Sequence, residues 1–130
     1  MATTPRDKNC SVMIVDDSDV ARMLLRDILE AGGYEVIAEA ADGVEAVERY
    51  VELRPSVTIM DLQMPNKDGI EATRDILAFD RKAKVLMCSS IDAEGLLMAV
   101  VEAGACGVVF KPFVADGVLA AIASTAGGES

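Results

Sequence analysis

Short apolar runs and amphipathic helical segments alternate five times along this chain. The apolar runs lie at residues 10–15, 35–38, 57–60, 84–88 and 107–110. From one run to the next is roughly 21 to 28 residues, which is the length of one strand-plus-helix unit with tight loops. Nearly continuous apolar strands that alternate with helices are typical of a parallel sheet covered by helices on both faces.

We therefore predict an α/β protein of the flavodoxin-like (βα)5 class, with a five-stranded parallel sheet in the order 2-1-3-4-5 and helices on both faces. In such a sheet the functional crevice lies beyond the carboxyl ends of the strands. The predicted domain spans residues 10–123. It follows a short polar extension at 1–9 and precedes a small, polar tail at 124–130 that we expect to fray.

The helical segments carry start and stop signals and a predicted buried face. Asp42 and Asp68 each stand three residues before a glutamate, as in a capping box. Gly32-Gly33 and Arg54-Pro55 are expected to end the first two helices. The apolar residues predicted to face the core are Val20, Leu24, Ile28 and Ala31 in the first helix, and Val44, Val47 and Val51 in the second.

The composition fits one packed domain and excludes several kinds of site. Of the 130 residues 52% are hydrophobic, which is enough to fill a core, and the formal charge of -10 would repel the backbone of nucleic acids. The chain has no histidine, which excludes a Ser-His-Asp triad and a His-bearing zinc site. No apolar run reaches the ~18 residues of a membrane span. Three widely spaced cysteines, Cys10, Cys88 and Cys106, argue against disulfides. We expect a cytoplasmic protein that binds neither nucleic acid nor membrane.

Polar side chains follow four of the five predicted strands. Asp16 and Asp17 follow the first strand, Asp61 the third, Ser89 the fourth and Lys111 the fifth. In the predicted order the first and third strands are neighbours, and the fourth and fifth follow on one side, so these side chains would converge on one crevice. A helix cap or a loop acid explains one of them alone, but a cap needs only one acid and does not account for a lysine two strands away.

Three carboxylates in one crevice require a cation or raised pKa values to coexist. Two carboxylates about 4 Å apart repel by roughly 4 kcal/mol at an effective dielectric near 20. Lys111 supplies one positive charge, and a divalent ion would supply the rest. Oxygen ligands without His or Cys suit Mg²⁺, with Mn²⁺ as a substitute. A metal, a lysine and a hydroxyl around one remaining carboxylate are typical of phosphoryl transfer, in which the carboxylate becomes an aspartyl-phosphate.

The set Asp16-Asp17, Asp61, Ser89 and Lys111-Pro112 closely resembles the receiver domain of two-component response regulators. The resemblance covers about residues 10–123, and these pieces at matching strand ends in the right order are very specific. It implies a stand-alone, CheY-like regulator that takes a phosphoryl group from a sensor histidine kinase, a phosphotransfer protein or a small phosphodonor. Such a regulator acts on a downstream protein in chemotaxis-type or phosphorelay signalling and catalyses only its own phosphorylation and dephosphorylation.

The resemblance implies a role for each acid. Asp61 matches the phosphoacceptor and also binds the metal. Asp17 matches the direct Mg²⁺ ligand, and Asp16 matches the acid that acts mostly through a metal-bound water. Gln63 matches the position whose backbone carbonyl completes the ligands. Gln63 and Ile91 flank the opening to the phosphate, where we expect them to set its lifetime.

On the phosphate side, Ser89 matches the switch hydroxyl that closes onto the phosphate, and Lys111 matches the lysine that pairs with it. In this family the Lys-Pro peptide is typically cis, so we expect a cis bond between Lys111 and Pro112. The chain departs from the family at Val108, where a Tyr or Phe that moves with the hydroxyl is usual. The phosphate chemistry should survive this departure, because the aromatic residue is not part of it.

Phosphorylation of Asp61 would add about one to two negative charges and draw Ser89 toward them, which would shift the loop before the fourth helix. We expect the surface of helix 4, strand 5 and helix 5 to be read by a partner. Helix 4 is apolar over most of its circumference, through Leu96, Leu97, Met98, Val100 and Val101. The sequence leaves open whether these residues are core or part of a docking surface.

Two alternatives remain open from the sequence. Asp17-Ser18-Asp19 also reads Asp-x-Asp, the pattern of an aspartate-dependent phosphatase with Asp17 as nucleophile and Asp19 as acid. In that enzyme Asp61 would be idle, and the acidic pair usual after the lysine is missing. The other alternative is a silent, receiver-like binding module, against which the intact set of acids argues.

Overall fold

The computed structural model describes residues 10–90 and 94–128, and in these five strands alternate with five helices. The strands are β1 (Ser11–Val15), β2 (Glu35–Ala40), β3 (Val57–Asp61), β4 (Val85–Ser90) and β5 (Gly107–Lys111). The helices are α1 (Asp19–Ala31), α2 (Gly43–Leu53), α3 (Gly69–Phe79), α4 (Glu94–Ala103) and α5 (Ala115–Gly128).

All paired strands are parallel, and their order is β2-β1-β3-β4-β5. This confirms the predicted flavodoxin-like topology. Val15 at the end of β1 is opposite Met60 in β3, so the residues that follow them emerge at the same edge of the sheet. β1 begins one residue later than predicted and the other four strands are one or two residues longer, so that Asp61 and Lys111 are the last residues of β3 and β5.

Two hydrophobic clusters cover the two faces of the sheet. One cluster holds α1 and α5 against the sheet through buried residues such as Leu25, Leu29 and Ile122. The other holds α2, α3 and α4 against the opposite face. It contains three fully buried methionines on adjacent strands, Met13, Met60 and Met87. Because helices cover both faces of the sheet, its carboxyl edge is where a functional site can lie.

The predicted buried faces of α1 and α2 are displaced by one residue, although Ile28 and Val47 are half-buried and pack against the clusters as predicted. Val20 and Leu24 are 74% and 42% exposed, and the buried residues of α1 are Leu25 and Leu29. In α2, Val44 and Val51 are exposed, and the buried residues are Gly43, Ala46 and Tyr50. Helix α1 carries two adjacent rows of apolar residues, and the spacing of the residues alone does not show which row faces the sheet. In α2 small residues and one aromatic residue form the face that packs closely, where the pattern favoured the valines.

The helix boundaries follow the predicted signals. Asp42 and Asp68 each accept a hydrogen bond from the backbone of the glutamate three residues on. Gly32 and Arg54 directly follow α1 and α2. Helix α5 continues through Gly128, so residues 124–128 extend a helix where the sequence suggested a tail. The extension at 1–9 lies outside the described residues. In the described part of the chain, no helix combines the length and hydropathy that crossing a bilayer would need.

Candidate metal centre

Asp16, Asp17 and Asp61 meet at the carboxyl edge of β1 and β3. Each contributes one carboxylate oxygen to a group of three that lie within 4.8 Å of one another. Asp16 and Asp61 are buried, and Asp17 is exposed. None of the three acids is the cap of α1, because the hydroxyl of Ser18 accepts the hydrogen bond from the backbone of Ala21. The acids are thus available for another role.

Asp16 is held so that a single oxygen remains for a ligand. Its N–H donates to the carbonyl of Ala40 (3.1 Å), its carbonyl accepts from Arg22 (2.6 Å) and its Oδ1 accepts from the N–H of Ser18 (2.9 Å). Its Oδ2 is buried and has no hydrogen bond. The ammonium group of Lys111 lies 3.3 Å from this oxygen and offsets part of the cost of burying a carboxylate oxygen without a hydrogen bond. An ion held by oxygen atoms alone, such as Mg²⁺, fits this set.

Lys111 supplies a positive charge to two of the acids. Its Nζ lies 3.0 Å from Oδ1 of Asp61 and 3.3 Å from Oδ2 of Asp16. Burial raises the pKa of the Asp61 carboxyl; the hydrogen bond from Lys111 opposes this, and the charge of Asp16 adds to it. Burial alone would lower the pKa of Lys111, but the hydrogen bond to Asp61 and the charges of both acids outweigh it, and the pKa is raised. Lys111 therefore stays positively charged. Its single charge does not balance the three acids, so the site keeps an excess of negative charge.

Ser89 lies on the strand between those that carry Asp61 and Lys111. In the β3–β4 ladder Asp61 is opposite Cys88, the residue before Ser89. Ser89 itself is half-buried and opposite Phe110 in β5. The peptide bond between Lys111 and Pro112 is cis, as predicted. The predicted groups thus converge on one edge of the sheet.

The loop after Asp61 is fixed by two glycines. A Cβ on Gly69 would lie 2.1 Å from the carbonyl oxygen of Asp61, and a Cβ on Gly43 would lie 2.3 Å from the carbonyl oxygen of Lys67. The N–H of Gly69 donates to the carbonyl of Leu62 (2.9 Å), and that of Gly43 to Lys67 (3.0 Å). Close backbone approach of this kind requires glycine. The loop that carries the exposed Gln63 is thus held against α2 and α3, whereas Ile91 lies outside the described residues.

The predicted readout surface is partly apolar and exposed. In α4, Val100 is buried, whereas Met98 and Val101 are 65% and 60% exposed. Phe110 and Val114 are also exposed and line a groove of about 420 Å³ along β5 and the start of α5. Helix α4 thus has both a core face and an exposed apolar face, while the side chains of Leu96 and Leu97 lie outside the described part. Val108, at the position where an aromatic residue is usual, is half-buried and packs against the cluster that contains the methionines.

Sequence reasoning did not single out Arg22, although it contacts the backbone of Asp16. No spacing rule indicates that an arginine in the first turns of a helix points back to the preceding strand. Its contacts became evident only from the fold.

The comparisons with known proteins agree with this site. The family model described as response regulator receiver domain matches residues 12–123. The chain is 43% identical over 114 residues to the chemotaxis protein CheY of Bacillus subtilis, which covers 88% of this chain and 95% of that protein. It is 49% identical over 111 residues to CheY of Halobacterium salinarum (85% and 92% covered). Among solved structures, it is similar to the CheX-CheY-BeF3-Mg complex from Borrelia burgdorferi, with a TM-score of 0.85, 34% identity, and 88% of this chain and 87% of that chain covered.

Proposed function

Because this chain belongs to the family of response regulator receiver domains, we propose that Asp61 accepts a phosphoryl group in a reaction that requires Mg²⁺. The observation that supports this most is the setting of Asp61, which is a buried carboxylate with a lysine 3.0 Å away and two further acids beside it. An oxygen of Asp61 attacks the phosphorus atom, and the bond to the donor breaks. The donor is a sensor histidine kinase, a phosphotransfer protein or a small phosphodonor.

Asp16, Asp17, Asp61 and the backbone carbonyl of Gln63 would hold the metal. Oδ2 of Asp16, which is buried without a hydrogen bond, and the exposed carboxylate of Asp17 support this assignment. When bound, Mg²⁺ would neutralise the charge on the transferring phosphoryl oxygens. Mn²⁺ should substitute for it, because the ligands are all oxygen atoms.

Lys111 and Ser89 act on the phosphoryl group itself. Lys111 pairs with a phosphoryl oxygen, and its present partners Asp61 and Asp16 hold it close to the place where that oxygen would lie. The hydroxyl of Ser89 donates a hydrogen bond to another phosphoryl oxygen. As the added charge draws in Ser89, the loop from β4 to α4 shifts. Phosphorylation of Asp61 thereby changes the conformation of a surface away from the phosphorylation site.

A downstream protein reads this change on α4, β5 and α5. The exposed side chains of Met98, Val101, Phe110 and Val114 support an apolar contact there. The relatives named CheY support a role in chemotaxis-type signalling, with a phosphorelay as the other setting. The chain catalyses only its own phosphorylation and dephosphorylation. Cytoplasmic location is supported by the cysteines, which form no disulfide in the described part of the chain; Cys10 and Cys88 are buried in the core.

A labelling experiment tests the proposal. We expect the chain to take up label from ³²P-acetyl phosphate with Mg²⁺, and to lose this ability in Asp61→Asn or after addition of EDTA. Asp27→Asn is the matched control, because Asp27 is an exposed acid further along α1 and has no role in the proposed site. Label that survives in Asp61→Asn but vanishes in Asp17→Asn would instead establish the phosphatase alternative, which the comparisons do not support. A wild-type chain that takes up neither label nor beryllofluoride would indicate the silent module.

A further inference from the structure

Arg22 lies directly beside the acids, and none of the roles above involves it. Its guanidinium makes contacts with three elements of the fold. Nη1 donates to the carbonyl of Asp16 at 2.6 Å, and Nε donates to Oε1 of Glu39 on β2 at 3.0 Å. Nη2 pairs with Asp19 in the first turn of α1. The side chain of Arg22 is only 17% exposed, so these contacts are largely shielded from solvent.

We infer that Arg22 is a positioning residue that sets the Mg²⁺ affinity of the acidic site. The carbonyl that it binds belongs to the peptide that joins Asp16 to Asp17. Because a peptide is planar, holding this carbonyl holds the Cα atoms of both residues in one plane and restricts the backbone from which their carboxylates extend. The inference rests on the proposed function, since it concerns the affinity of the proposed metal site.

Glu39 holds Arg22 in place and provides a natural comparison. Its Oε2 accepts hydrogen bonds from Arg26, with Nε at 2.8 Å and Nη2 at 2.7 Å, while Oε1 is bound by Arg22. Arg26 lies one turn further along α1, and its other acidic partner is Glu30. Two arginines therefore bind the same carboxylate, but the contact with the carbonyl of Asp16 is made by Arg22.

The positive charge of Arg22, taken alone, predicts the opposite effect on Mg²⁺ affinity. A guanidinium close to the acids repels a metal ion, so its removal would strengthen Mg²⁺ binding if only the charge mattered. If Arg22 positions the acids, its removal weakens binding. Lysine at this position keeps the charge but loses the planar fork that binds the Asp16 carbonyl and Glu39 together. The sign of the change therefore separates the two effects.

Calorimetric titration of the full chain with MgCl2 tests the inference without any phosphodonor. We expect Arg22→Met to bind Mg²⁺ about tenfold more weakly, as observed when the partners that orient metal ligands are lost. Arg22→Lys should also bind more weakly than wild type, whereas the matched control Arg26→Lys should stay within about twofold of it, as for an exposed ion pair. Unchanged affinity in Arg22→Lys, or tighter binding in Arg22→Met, would overturn the inference.

A second readout separates positioning from general loss of structure. The N–H of Ser18 donates to Oδ1 of Asp16, so its ¹H–¹⁵N resonance should shift in Arg22→Lys and not in Arg26→Lys. If Arg22→Met does not fold, Arg22→Lys and Glu39→Gln replace it, and Glu39→Gln should also weaken Mg²⁺ binding. Wild type that binds no Mg²⁺ would overturn the proposed function together with this inference, whereas equal binding by wild type and both replacements would overturn the inference alone.

Discussion

Gly69→Ala should destabilise this protein although alanine is the better helix former. Gly69 is the first residue of α3, where exchange for alanine would stabilise by at most the roughly 0.5–1 kcal/mol that it contributes in a helix interior. Its Cβ would, however, lie 2.1 Å from the carbonyl oxygen of Asp61, about 1.3 Å closer than the 3.4 Å of ordinary contact. The neighbouring atom belongs to the backbone of β3 and cannot rotate away.

The expected magnitude follows from these opposing effects. Forced overpacking in a tightly packed region costs about 1–3 kcal/mol. After subtraction of a helix gain of at most about 1 kcal/mol, the net loss in the free energy of unfolding lies between roughly 0 and 3 kcal/mol, and we expect the upper half of this range because the atom in contact is a backbone oxygen. The backbone shift would also move Asp61 relative to Lys111, so the rate of labelling from acetyl phosphate should fall.

Gly117→Ala is the matched control. Gly117 lies in the first turn of α5, and a Cβ there would meet no atom within 4 Å. Urea unfolding followed by far-ultraviolet circular dichroism should show this variant to be more stable than wild type by about 0.5–1 kcal/mol, with normal labelling. If Gly69→Ala proves as stable as wild type, or gains as much as Gly117→Ala, then the close approach of α3 to Asp61 does not constrain the site and our reasoning is wrong.

Two further predictions concern buried polar groups. Thr58→Val should raise the free energy of unfolding by about 1 kcal/mol in urea titrations, because the hydroxyl of Thr58 is buried without a hydrogen bond. A loss of stability in this variant would contradict the prediction, because it would show that the hydroxyl has a hydrogen-bond partner in the folded protein. Tyr50→Phe should lower the urea midpoint at pH 7, because the Tyr50 hydroxyl donates to Asp80 at 2.8 Å and this bond holds the pKa of Asp80 below its ordinary value. A lowered carboxyl pKa stabilises the folded state at pH values above the unfolded pKa of about 3.9. The difference in urea midpoint between wild type and Tyr50→Phe should therefore shrink as the pH falls below about 4. A difference in midpoint that stays constant to pH 3 would contradict this prediction.

The sequence was sufficient to predict which side chains meet at this edge of the sheet, because chain order and sheet order are tightly linked. Short apolar runs locate the strands, and the residues at their carboxyl ends must meet in a doubly wound sheet, as Asp16, Asp61 and Lys111 do. The sequence did not tell which of Asp16, Asp17 and Ser18 caps α1. That depends on local backbone geometry, and the structure assigns the cap to Ser18.

Sequence reasoning failed where packing decides between equivalent patterns. Leu24 and Leu25 are adjacent, and either could begin a buried row on α1; only contact with the sheet and α5 selects Leu25. The contact of Arg22 with Asp16 joins a helix to the residue that follows β1 through a long flexible side chain, for which no periodicity exists. Both features follow from the assembled fold rather than from any local signal.

The methionines of this chain are distributed so that their methyl groups can serve as separate spectroscopic probes. Met13, Met60 and Met87 lie in the interior on neighbouring strands, Met64 is half-buried in the loop after Asp61, and Met98 is exposed on α4. With ¹³C-methyl labelling of this residue type alone, resonances from the interior, the loop and the outer surface would appear in one spectrum. Addition of beryllofluoride and Mg²⁺ would then reveal whether the response travels through the interior of the sheet or along its outer edge.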